Sequence, residues 1–125
     1  GLRRNRTLWA SFLIDSPTQR IYIGGDGGYD DRFADIGRRF PGITLAMLEN
    51  GQYNEAWRYI HTMPEYLGRA ARELGAERIV TVHHSKYALA RHAWDEPLEH
   101  ARRLAERDSL PVVMPGIGEV VRLGN

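Results

Sequence analysis

Short apolar runs rich in β-branched residues alternate along this chain with polar breaks where glycine, proline and aspartate gather. The sharpest change comes where Ile21-Tyr22-Ile23 gives way to Gly24-Gly25-Asp26-Gly27-Gly28-Tyr29-Asp30. The run reads as a buried strand, and the glycines call for a tight turn or for the close approach of another group. Asp30 and Asp31 then supply a helix N-terminus, with Phe33, Ile36, Gly37 and Phe40 following at helical spacing. Asp26 is thereby placed at the carboxyl end of a strand, where α/β folds put their ligands. An isolated Gly-Asp-Gly would read first as a turn whose aspartate bonds its own backbone.

The same reading extends in both directions. Thr7 to Ile14 predicts a strand, Asp15 to Gln19 a turn, and Arg20 to Ile23 the returning strand of a hairpin. After a helix over residues 31 to 40, Pro41-Gly42 stops it and Ile43 to Leu48 forms another buried strand. Glu49 to Tyr53 reads as a loop, and Asn54 to Ile60 as a short helix or an irregular segment. Thr62 and Glu65 fit a capping box with Pro64 in the first turn. The helix that follows carries Leu67, Ala70, Ala71 and Leu74 on one face and ends at Gly75. Arg78 to Val82 predicts a strand ending in His83-His84, and Pro97 to Asp108 a third helix with Leu98, Ala101, Leu104 and Ala105 as its stripe. Pro111 to Met114 and Glu119 to Leu123 predict two closing strands around Pro115-Gly116. The order β-β-α-β-α-β-α-β-β argues for an α/β layer structure.

Composition narrows the function classes. At 125 residues the chain is one domain's worth. Seventeen Lys and Arg stand against sixteen Asp and Glu, interspersed, so no basic block marks a nucleic-acid footprint. Without cysteine, disulfides and thiolate metal sites are excluded and nothing demands an oxidising compartment; a cytoplasmic location is the expectation. No apolar run is long enough to cross a bilayer, and the residues from Gly1 to Arg6 are not a signal peptide.

Three strand ends deliver polar groups: Asp26, the loop from Glu49 to Tyr53, and His83-His84. Neighbouring strands usually present such ends on one edge, which would let Asp26 and His83 converge. A carboxylate and a neutral imidazole suit zinc, manganese or iron, and an aspartate can bridge two metals through its two oxygens. A histidine pair after a strand, taken alone, is more often a surface or hydrogen-bonded core feature. A dinucleotide fingerprint starting at Gly25 fails, because its third glycine would fall at Asp30, and Asp30 and Asp31 would repel a pyrophosphate. No Gly-x-Ser-x-Gly nucleophile elbow occurs.

Several segments, read in order, resemble one family: Gly25-Asp26-Gly27-Gly28-Tyr29, Ile36 to Phe40, Leu45 to Leu48, His61-Thr62-Met63-Pro64-Glu65, His83 to Ala90 and Trp94-Asp95-Glu96-Pro97. Together they resemble the metallo-β-lactamase-fold metal-dependent hydrolases, in the branch near the ascorbate-6-phosphate lactonases and the N-acylphosphatidylethanolamine phospholipase D enzymes. The resemblance runs from Arg4 to about Leu123 and is uninformative about substrate. It implies that Asp26 bridges two metal ions, that His83 ligates one of them, and that His61 faces the active site toward an anionic group of the substrate. Asp26 and His61 are thus the implied catalytic residues; Tyr53 and His84 join His61 as implied substrate contacts, His84 as pocket wall. His92 and His100 are expected to be solvated.

The family's His-x-His-x-Asp-His, which holds most of the metal ligands, is absent, as is the next ligand histidine. The resemblance therefore implies a single domain over residues 1–125 that forms the C-terminal half of an αββα sandwich, a mixed sheet with helices on its outer face. Where many relatives have Pro-Ile-Gly-Ala-Tyr, this chain has Glu49-Asn50-Gly51-Gln52-Tyr53. The implied cofactors are two divalent ions, zinc first and then manganese or iron. The implied partners are a missing N-terminal half or a second copy, with a small phosphodiester, lactone or other ester as substrate. An imidazole must be neutral to bind metal, so activity should fall on the acid side of its titration. A non-catalytic half-domain that binds a partner, and a homodimer with a new metal site built from two copies of Asp26 and His83, are the alternatives.

Overall fold

The computed structural model describes residues 10–25, 27–54, 56, 62, 64–85 and 92–124. Its elements run β1 (Phe12–Asp15), β2 (Arg20–Ile23), α1 (Arg32–Arg39), β3 (Leu45–Glu49), α2 (Pro64–Leu74), β4 (Ile79–Val82), α3 (Glu96–Glu106) and β5 (Val112–Val113). The strands make one five-stranded sheet in the order β1-β2-β3-β4-β5. β1 is antiparallel to β2, and β2 to β5 are parallel to their neighbours. This is the mixed α/β architecture expected. The hairpin turn closes as predicted, with the Ser16 hydroxyl donating to the Gln19 carbonyl (2.8 Å) and Asp15 paired with Arg20.

Alternation along each strand sorts the sheet into two faces. Leu13, Tyr22, Ala46, Leu48, Ile79 and Val112 face the helices and join Leu67, Ala71, Leu74 and Leu104 in the core. On the other face, one register row crosses all five strands: Phe12, Ile23, Met47, Val80 and Val113. Ile14, Ile21 and Leu45 form a second row beside it. This face is as apolar as the first, yet Phe12 is 63% and Ile14 52% exposed. A sheet apolar on both faces is one built to be covered on both.

The helices start and stop for local reasons. The Asp30 carboxylate accepts from the Arg32 backbone N–H (2.9 Å), while Asp31 occupies the N-cap position without a side-chain capping bond. Gly75 ends α2 in a left-handed conformation (φ 63°). α1 and α2 cross where Gly37 lies against the backbone of Glu73 and Leu74.

Several expectations about the elements change. Glu119 to Leu123 is not a strand. Its carbonyls at Arg122 and Leu123 accept from the side chains of Arg78 and Gln19, and Val120 is 78% exposed. The Thr62–Glu65 capping box does not form: α2 begins at Pro64, and the Thr62 hydroxyl instead donates to the Gly27 carbonyl (3.1 Å). The strand predicted as Ile43 to Leu48 is shifted, so that Glu49 ends β3 instead of opening a loop. No helix among the described residues is long and apolar enough to cross a membrane.

His100, expected in solvent, is half-buried on α3, and its Nδ1 has no hydrogen-bond partner among the described residues. Burial, helped by Arg103, holds its pKa below the ordinary 6.5 against the opposing pull of Glu96, Asp108 and Glu65. The neutral ring is therefore the folded form, and the unfolded chain takes up the proton first as pH falls. Stability should decline below about pH 6.5 and level off once the folded-state pKa is passed. His100→Gln should flatten that decline in thermal melts between about pH 7.5 and 5. An unchanged slope would show that His100 is not a source of the acid sensitivity.

Candidate active site at the carboxyl edge of the sheet

Because β2, β3 and β4 are parallel neighbours, their carboxyl ends share one edge. The ladder runs on past the strands: Gly24 N–H donates to Met47 O and Asn50 N–H to Val82 O, each at 2.9 Å. β2 thus leads into the glycine loop, β3 ends in Glu49 and β4 ends in His83. Asp26 and His61 lie outside the described residues; their chain neighbours Gly25, Gly27 and Thr62 are described and sit at this edge.

Glu49, read from the sequence only as the start of a polar loop, is the side chain that the sequence reading did not single out. Its side chain is 3% exposed, Oε1 accepts the Thr62 backbone N–H, and Oε2 lies 3.4 Å from His83 Nδ1. A carboxylate so far from water needs such partners. Its place at the end of the central buried strand was the available signal.

His83 adopts a left-handed backbone (φ 71°), as do Ser85 (φ 67°) and Gln52 (φ 56°), so three uncommon conformations meet at this edge. Gly51 packs against the His83 turn so closely that a Cβ there would lie 3.0 Å from the His83 carbonyl carbon and collide with its oxygen. The turn after β4 and the loop after β3 therefore hold each other in place.

His84 folds back onto its own strand end. Its Nε2 lies 2.8 Å from the Thr81 hydroxyl and 3.0 Å from the Thr81 carbonyl, and its Nδ1 shares a 2.7 Å hydrogen bond with the Ser85 hydroxyl. Burial lowers its pKa, opposed by the Thr81 bond, with His83 adding to the lowering. Tyr53 is buried and its hydroxyl donates to Glu96 Oε1 at 2.6 Å. Burial and that carboxylate push the phenol's pKa up. His92 is not simply solvated. Its Nε2 accepts the Gln52 N–H (2.9 Å), its Nδ1 donates to Ala93 O (2.8 Å), and its ring lies 4.5 Å from that of Tyr53. With Asn50 Nδ2 on the Pro97 carbonyl (2.7 Å), these bonds tie the loop after β3 to the start of α3.

On the other side, Tyr29 anchors the glycine loop. Its ring stacks between Phe33 and Tyr66, and its hydroxyl donates to the Glu73 carboxylate at 2.8 Å. Beside it a cavity of about 490 Å³ is lined by Gly25 and Gly27 of the loop, by Leu48 and Phe33, and by Glu49 and Thr62.

Among the described residues no group of three His, Asp or Glu side chains is gathered for a metal. They do bring together an imidazole and a buried carboxylate, a donor chemistry that suits a divalent ion.

Residues 1–84 match the family model described as the beta-lactamase superfamily domain. The chain belongs to that superfamily. Outer membrane protein RomA of Klebsiella pneumoniae is 49% identical over 83 residues, 66% of this chain and 63% of that protein. The mitochondrial N-acyl-phosphatidylethanolamine-hydrolyzing phospholipase D of Saccharomyces cerevisiae is 34% identical over 110 residues, 84% of this chain and 24% of that one. In three dimensions, Igni18, a metallo hydrolase of Ignicoccus hospitalis, superposes with a TM-score of 0.69 at 20% identity, covering 89% of this chain and 44% of its own. That likeness shows the fold: this β-lactamase superfamily chain has the metallo-β-lactamase fold, and it spans only part of the length of each of these proteins.

Proposed function

We propose that this chain supplies part of the site of a metal-dependent hydrolase acting on a phosphodiester, lactone or other ester. The observation that supports it is the strand order, which sets the ends preceding Asp26 and His83 on either side of Glu49 along one edge. Asp26 and His83 would hold the metal, zinc first and manganese or iron next. When bound, two such ions supply a water that ionises near neutral pH and a clamp for the developing oxyanion. Asp26, with two oxygens, suits a bridging position. His83 would bind as the neutral imidazole, and His61 would meet the anionic group of the substrate. Tyr53 and His84, each committed to hydrogen bonds of its own, would shape the wall. The yeast relative's phospholipid substrate favours the phosphodiester. The open apolar face of the sheet would receive a second sheet, either from an N-terminal half that carries the remaining ligands or from a second copy.

Metal content after equilibration with zinc tests this. Asp26→Ala and His83→Ala should each lose bound metal, whereas His61→Ala should keep it. Joined to a segment carrying His-x-His-x-Asp-His, the chain should hydrolyse a phosphodiester or lactone probe, and His61→Ala should then slow turnover. Undiminished metal in the Asp26→Ala/His83→Ala double variant would overturn the assignment.

A further inference from the structure

We propose that Glu49 is a positioning residue that fixes the tautomer and orientation of His83, so that Nδ1 carries the proton and Nε2 the lone pair. The use of that lone pair toward a metal rests on the function proposed above; the control of the ring by Glu49 does not.

Both carboxylate oxygens of Glu49 are directed at groups of this chain, Oε1 at the Thr62 N–H and Oε2 at His83 Nδ1, 3.4 Å away. The Glu49 side chain is 3% exposed and the His83 side chain 35%, so the pair stands where the core meets the edge of the sheet. An ionised carboxylate only accepts, and at 3.4 Å, an ion-pair contact longer than a hydrogen bond, its charge favours hydrogen on the nitrogen that faces it. A histidine whose second nitrogen is held by a carboxylate is the usual support of a metal-binding imidazole, since it sets ring orientation and basicity together. Backbone geometry reinforces this, because His83 sits in its left-handed turn against Gly51, on the strand next to β3. The other arm of Glu49 works on a second segment. Thr62, held by Oε1, passes its hydroxyl to the Gly27 carbonyl at 3.1 Å. One buried carboxylate thus joins the residue after His61, the loop after Asp26 and the turn at His83.

Glu49→Gln is the discriminating change, because it keeps size and removes charge. Its amide oxygen must still accept from Thr62 N–H, which turns the amide NH₂ toward His83 Nδ1. That nitrogen must then accept, and the proton moves to Nε2. Two-bond ¹H–¹⁵N correlation spectra of the neutral imidazole, recorded on the metal-free chain, report the tautomer directly. We expect Nδ1–H in the wild type and Nε2–H in Glu49→Gln. The wild-type spectrum alone is decisive if the variant does not fold: Nε2–H there overturns the proposal, as does an unchanged ring in Glu49→Gln. Titration with zinc, followed on the same signals, should show affinity reduced by about 10–100-fold in Glu49→Gln. A wild-type Nδ1–H ring that does not respond to zinc still supports control by Glu49 and overturns the metal-site reading instead.

Discussion

Gly37→Ala should lower the stability of this chain by about 2–3 kcal/mol, although alanine is the better helix former by about 1 kcal/mol. A Cβ at Gly37 would lie 3.1 Å from the Glu73 carbonyl carbon and 3.2 Å from Leu74 Cα, and would run into the Glu73 carbonyl oxygen. Those atoms are backbone of α2, so relief requires the two helices to separate rather than one side chain to turn. Leu74 is 2% exposed and part of the core, so separation also loosens its packing. For a domain of this size the loss corresponds to a fall in melting temperature of roughly 8–12 °C. Gly68→Ala is the matched control. The nearest atom to its Cβ is Leu104 Cδ2 at 3.1 Å, the end of a flexible side chain, so little change is expected. If Gly37→Ala melts at or above the wild type, α1 and α2 are not in the contact described.

The second large effect concerns the open face of the sheet. The 125-residue chain by itself should self-associate at micromolar concentration, because the register row from Phe12 to Val113 and the row from Ile14 to Leu45 leave a continuous apolar surface. Monomers seldom tolerate such a surface beyond a few hundred Å². Covering Phe12 and Ile14, each already partly buried, would return about 1–2 kcal/mol each. Sedimentation of the wild type should show a dimer or larger species, and Phe12→Ser/Ile14→Thr should shift it toward monomer without loss of secondary structure. A monomer across the whole concentration range would mean that this face does not drive association.

Much of the fold was legible because its signals are local. The hairpin turn, the Leu67 to Leu74 stripe and the glycine stop at Gly75 each depend on residues a few positions apart. Glu119 to Leu123 misled because β-branched residues report strand propensity, not a partner. Here the carbonyls of that run are taken by Gln19 and Arg78 from elsewhere in the chain. Glu49 misled in the opposite way. A charge after an apolar run normally marks the exit to solvent, and nothing near it in sequence announces that Thr62 and His83 will meet it. His92 was misjudged for the same reason, its partner being the backbone N–H of Gln52.

The parallel order of β2 to β5 also bears on when the site comes into being. The β1–β2 hairpin needs only its own turn and can close in about 1–10 μs. Each parallel pairing must first bring back a crossover of chain, an entropic cost met before any contact rewards it. Gly27, Glu49, Thr62 and His83 come from four such separated segments, so the carboxyl edge should be among the last parts to assemble. A ligand that needs this edge complete binds the finished fold alone. It adds RT ln(1 + [L]/Kd) to the stability of the whole chain and slows its unfolding. In the cell the lifetime of the folded protein would then track ligand supply, so depletion would appear as faster turnover of the polypeptide as well as lost chemistry.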